Sequence, residues 1–149
     1  MRNNTETNMR LNCVLLLACL AIANAHGAGQ LLVDGAWIRT PPPGMLMLAG
    51  YATLHNGGDA PITVSGAESA DFAAVSLHQS VTENGVERMR PLGEFTIAPG
   101  ARVDFAPGGK HFMLMGPKRE LKAGDSVKIH ISTNSGAVDG EFVVRDAAP

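Results

Sequence analysis

From residue 31 onward the chain is built of short runs in which apolar and polar side chains alternate. Successive side chains of an extended strand point to opposite faces, so such alternation marks half-buried strands. The first run covers 31–39 and stops at Pro41-Pro42-Pro43-Gly44, where successive positions lack the donor that a sheet ladder needs. A second covers 48–55 and ends at Asn56-Gly57-Gly58-Asp59, a strong turn signal, and a third covers 62–67. In 73–81, Val75, Leu77 and Gln79 alternate with Ala74, Ser76 and His78, and Glu83-Asn84-Gly85 predicts a hairpin into 86–92. Runs at 95–97, 102–105, 111–115, 126–133 and 141–145 complete the set, with turns at Pro99-Gly100 and Pro107-Gly108. No amphipathic helix longer than two turns is legible. Many short strands separated by such turns predict an all-β domain, a Greek-key sandwich or barrel.

No repeat, low-complexity tract or linker divides the chain between residues 26 and 149, so one domain is expected there. The composition, 45% hydrophobic and 17% charged, is ordinary for a globular protein. The first residues differ in character. Arg2 and Arg10 flank a polar start, an apolar run covers 11–22, and Ala23-Asn24-Ala25 follows. This is the pattern of a secretory signal peptide at 1–25, with an apolar run too short for a membrane span, so an exported mature chain without stable membrane insertion is expected. Leu17-Ala18-Cys19 also carries a lipoprotein-like hint at Cys19, but the apolar run continues past the cysteine.

Both cysteines, Cys13 and Cys19, lie in the leader, so a chain cut after Ala25 has no thiol for a disulfide or a thiolate metal site. Losing Arg2, Arg10 and Glu6 with the leader leaves ten basic and thirteen acidic side chains, a balance that gives no reason to expect nucleic acid or anionic lipid as a partner.

One stretch carries chemistry as well as periodicity. In the run from Lys110 to Met115, His111, Met113 and Met115 alternate with Phe112 and Leu114. As a strand, it sends Phe112 and Leu114 to one face and an imidazole with two thioethers to the other. Upstream, His78 and Met89 are the candidate partners, and His78, Met89, His111 and Met113 together read H-x10-M-x21-H-x-M. Singly, each residue has an ordinary account: methionine fills core gaps, and a lone histidine on a strand is usually a solvated side chain.

That spacing and its surroundings resemble the PCu(A)C family of periplasmic copper(I) chaperones. The likeness runs through GAWIRTPPPG, AGYATLHN, SLHQSVTENGVERMRPL and PGGKHFMLMG, nearly the whole mature chain. The resemblance implies a cupredoxin-like sandwich that binds one Cu(I) ion through His78, Met89, His111 and Met113 and delivers it to a copper acceptor protein, a cytochrome oxidase subunit or assembly factor. It favours Met113 as the fourth ligand, with Met115, on the same face, as a spare. Copper(I) is soft, and thioether and imidazole suit it, whereas magnesium and calcium prefer oxygen. A set without carboxylates argues against zinc hydrolysis.

Other candidates are weaker. Met45 and Met47 follow the proline turn in alternation and either flank the site or simply pack, with packing the favoured account, while His55 and His130 read as solvent-side residues. His26, as a new N-terminus, offers amine and imidazole together for Cu(II). The chain stops at Pro149 without the His/Met-rich tail that members of the family often carry. Most of the aromatic side chains should be core. Arg88, Arg90 and Lys110 read as ordinary surface charge, with a basic rim for an acidic partner as the alternative.

The expected function is therefore a monomeric copper(I) carrier and not an enzyme, since no nucleophile, base and orienter can be assembled with any specificity. Copper buffering without a dedicated acceptor is the alternative function. A blue-copper electron carrier needs a cysteine thiolate that the mature chain lacks, and an immunoglobulin-like adhesion module would bind its partner without metal.

Overall fold

Every regular element between residues 30 and 149, the part of the chain that the computed structural model describes, is a β-strand. The expected leader at 1–25, Cys19 and His26 lie outside the described residues. The strands are β1 (Leu31–Arg39), β2 (Met47–Asn56), β3 (Ile62–Glu68), β4 (Phe72–Glu83), β5 (Val86–Pro91), β6 (Phe95–Ile97), β7 (Arg102–Phe105), β8 (Lys110–Pro117), β9 (Ser126–Thr133) and β10 (Gly136–Arg145). They follow the predicted runs closely. The main departure is β10, which begins at Gly136 where alternation predicts 141. Residues 136–140 contain two glycines and an aspartate and show no apolar rhythm, but their backbone pairs with β9 from Gly136↔Thr133 onward.

The strand order is β5-β4-β8-β7-β2-β1-β10-β9-β3-β6, with β8 also pairing with β2. Phe112 of β8 meets Phe142 of β10 edge-on at 5.2 Å, although the two strands are not neighbours in the sheet. The sheet therefore folds over on itself as a sandwich. β1 and β10 run parallel, with Trp37 opposite Val143. A parallel pair cannot be closed by a hairpin, and this one joins the first and last strands of the described chain. The result is an all-β, cupredoxin-like Greek-key sandwich.

Alternation places the core. In β9 the buried residues are Val127, Ile129 and Ile131, and in β10 they include Phe142 and Val144. These pack with Leu77 of β4, Leu48 of β2 and Phe112 and Leu114 of β8 in one cluster. Fully burying a side chain of this size contributes about 1.5–3 kcal/mol. The β4–β5 hairpin turns on Asn84 and Gly85, both at positive φ, between the paired Glu83 and Val86. This is the two-residue turn whose twist matches the flanking strands and which asparagine-glycine favours.

Asn56 ends β2 as a buried polar residue. Its Nδ2 donates to the carbonyls of Ala60 at 2.8 Å and Ile97 at 3.0 Å, and its Oδ1 accepts from Gly58 N at 3.0 Å. The turn signal at Asn56-Gly57 is thus also a tie between β2 and the end of β6.

Candidate metal centre

Register gathers the candidate ligands on one face. Residues directly opposite in an antiparallel pair point the same way. His78 of β4 is opposite His111 of β8, and Ser76 is opposite Met113. On the other flank of β4, Ser80 is opposite Met89 of the edge strand β5. Ser76, His78 and Ser80 alternate along β4, so all four candidates share a face, with the histidine pair between Met113 and Met89. Leu77 and Phe112, themselves opposite one another, fill the core behind them.

The two imidazoles lie with ring centroids 6.0 Å apart and planes tilted by 41°. His111 is 7% exposed. Its Nδ1 lies 3.2 Å from the carbonyl oxygen of Gly109, and because a carbonyl can only accept, that nitrogen carries the proton and Nε2 keeps the free lone pair. Nδ1 of His78 is buried and has no hydrogen-bond partner, and neither has Ser76 Oγ on the same face. Burial, and then the neighbouring His111, hold His78 below the ordinary histidine pKa, which favours the neutral ring that a metal needs. An orphaned buried nitrogen beside a second imidazole with a free lone pair fits a soft cation. Among the described residues no group of three or more His, Cys, Asp or Glu side chains that could hold a metal converges; the side chains gathered on this face are imidazoles and thioethers.

Met89 is 59% exposed, whereas Met113 is half-buried. One thioether is thus set into the sheet face and the other stands free at its edge. A groove of about 660 Å³ lies between the proline loop and residues 117–123, and none of the four candidates lines it. The candidate centre is instead a surface patch.

One expectation changes in the structure. Met45 and Met47 do not pack in the core; they are 48% and 50% exposed. Trp37 and Tyr51 are buried and stack at 4.8 Å, yet they stand outside the main core cluster. Alternation along β2 puts Tyr51 on the face of Ala49, the partner of Met113, so the aromatic pair belongs to the layer that carries the candidate centre. Most of the aromatic side chains are buried, as expected. Arg88 and Arg90 both pair with Glu83, and they alternate with Met89 and so lie on the opposite face of the hairpin. Ordinary surface charge accounts for them. His55 is half-buried and His130 bonds to Asp139 on the surface; neither joins the cluster.

A Greek-key sandwich with two imidazoles and two thioethers on one outer face has the fold of PCuAC domains. The copper-bound PCuAC domain from PmoF2 superposes with a TM-score of 0.65 at 25% identity, over 82% of this chain and 96% of that one. The solution structure of CuI-DR1885 from Deinococcus radiodurans matches at 0.61 and 30% identity, over 83% of this chain and 86% of that one. The chain belongs to the LpqE-like family, described as "Putative lipoprotein LpqE-like", whose model matches residues 31–144. Among its relatives, "Putative lipoprotein Lxx21020" of Leifsonia xyli subsp. xyli (strain CTCB07) is 32% identical over 126 residues, 84% of this chain and 75% of the relative. "Uncharacterized protein RP573" of Rickettsia prowazekii (strain Madrid E) is 34% identical over 80 residues, 53% of this chain and 44% of that protein.

Proposed function

We propose that this protein is a periplasmic copper(I) carrier in which His78, Met89, His111 and Met113 hold one Cu(I) ion and release it by ligand exchange to an acceptor protein, a copper centre of cytochrome oxidase or a factor that assembles one. The observation that carries this reading is the opposed His78–His111 pair, with one free lone pair on His111 and one unpartnered buried nitrogen on His78, between two methionines on the same face. The copper-bound state of the PmoF2 domain and the Cu(I) state of DR1885 support it. The lipoprotein names of the family and of the Leifsonia relative support export.

Neutral donors suit the task. Thioethers are not protonated at biological pH and cannot form disulfides, so the site stays competent in an oxidising compartment. The exposed Met89 is the donor an incoming acceptor would replace first, while His111, fixed by Gly109, keeps the ion in place during exchange. No bond in a substrate is made or broken, so this is transport and not catalysis.

Anaerobic titration against a Cu(I)-chelating dye should give one tight equivalent, and His111→Ala should lose at least tenfold in affinity. An unchanged affinity in that variant overturns the assignment. A deletion strain that keeps full oxidase activity but tolerates copper poorly would assign the protein to buffering instead of delivery.

A further inference from the structure

The geometry points to a second soft-metal site, formed by the thioethers of Met47 and Met115, through which Cu(I) enters and leaves the histidine pair. The inference rests on the copper reading of the first site and extends it along the same face. Met47 of β2 and Met115 of β8 are register partners, as are Ala49 and Met113 one step further in. Partners of this kind share a face with Cβ atoms about 4.5–5.5 Å apart. Metal–sulfur bonds are about 2.3 Å long, so two thioethers across such a pair can share one soft ion.

Along β8 the donors then follow as Met115, Met113 and His111, each two residues from the next, or about 6.6–6.8 Å of strand. Ala49 opposite Met113 places only a methyl group beside this line. At its outer end Met47 is 50% exposed and follows the exposed Met45 and Leu46. Gly116, at positive φ just after Met115, donates its N–H to Leu46 O at 2.8 Å and ties this end of β8 to the segment before β2. An ion held by Met47 and Met115 can thus reach Met113 and His111 by exchanging one neutral donor at a time, with no change of oxidation state. Two thioethers without an imidazole make the outer pair the weaker site, which suits an entry point. Apolar contact alone does not require sulfur, and leucine would serve it equally, so leucine variants separate a ligand from a sticky surface.

The test is a titration of the full chain, labelled at its methionine methyl groups, with Cu(I) alone under anaerobic conditions, read by methyl NMR. Up to one equivalent the Met89 and Met113 signals should shift; between one and two equivalents Met47 and Met115 should shift together. Met47→Leu should weaken the second equivalent at least tenfold and abolish the late shift of Met115, leaving the first equivalent within twofold of the parent. Met115→Leu should abolish the late shift of Met47 in the same way. If Met89 and Met113 stay still at one equivalent, the first-site reading fails. If they shift while Met47 and Met115 stay still at two equivalents, or if the late shifts survive both leucine variants, the second site is overturned on its own.

Discussion

His78 and His111 face each other across β4 and β8 in direct register, yet only His111 has its Nδ1 held by a backbone carbonyl; the same nitrogen of His78 is buried and unpaired. A buried polar atom without a partner costs about 1–3 kcal/mol. The site therefore carries a stability penalty that a bound ion would remove. His78→Leu should leave the metal-free fold as stable as the parent or raise it by up to about 2 kcal/mol, while Cu(I) affinity falls at least tenfold. Thermal unfolding of the metal-free protein checks this, and a clearly lowered midpoint would mean that His78 supports the fold in its own right.

The choice between the two methionines of β8 is testable in the same preparation. Met113 is opposite Ser76, one step from the histidine pair, whereas Met115 is opposite Ala74, two steps away. Met113→Leu should weaken the first Cu(I) equivalent at least tenfold, about 1.4 kcal/mol. Met115→Leu should leave it nearly unchanged. The opposite ranking in a dye-competition titration would move the fourth ligand to Met115.

Asn56 offers a prediction about the scaffold alone. Its amide satisfies two carbonyls and one N–H in a buried setting. Asn56→Ala should cost about 2–4 kcal/mol, because the partners left behind lose their bonds where water is excluded. Asn56→Asp should be worse, since an ionised carboxylate cannot donate to the carbonyls of Ala60 and Ile97. Chemical denaturation of the two variants gives the ordering, and a near-neutral Asn56→Asp would contradict the role assigned to the amide.

Much of this architecture is legible before any coordinates are known, and the reasons are local. The period-two rhythm of β8 and β9 and the Asn84-Gly85 turn each encode their own geometry. What local pattern does not encode is which strands become neighbours. The facing of His78 and His111 depends on β4 pairing with β8, strands separated in sequence by β5, β6 and β7. The line from Met47 through Met115 to Met113 depends on β2 pairing with β8. Met47 reads as a packing residue from its own segment because alternation identifies a face but not its exposure.

Acid should act on the fold and on the site through the same group. Burial and the proximity of His111 hold the folded-state pKa of His78 below its ordinary value of about 6.5. In the unfolded chain the ring takes up its proton near that ordinary value. Between about pH 6.5 and the lower folded value, the unfolded state thus binds more protons, and stability falls as the solution is acidified; above about pH 6.5 this contribution disappears. The loss should be smaller in His78→Met, which has no proton to bind there, and comparing pH titrations of unfolding in the two proteins isolates it. Copper binding follows the same sign, because a ligand imidazole must be neutral. Apparent Cu(I) affinity, corrected for the chelator, should be flat above about pH 7.5 and fall in acid, where the His78 ring takes up its proton. In His78→Met the acid dependence should become shallower, whereas Met89→Leu should lower the whole curve without changing its slope. An acid dependence of affinity that is the same in His78→Met as in the parent, with the fold intact, would remove the His78 imidazole from the coordination sphere and with it the copper reading of this face.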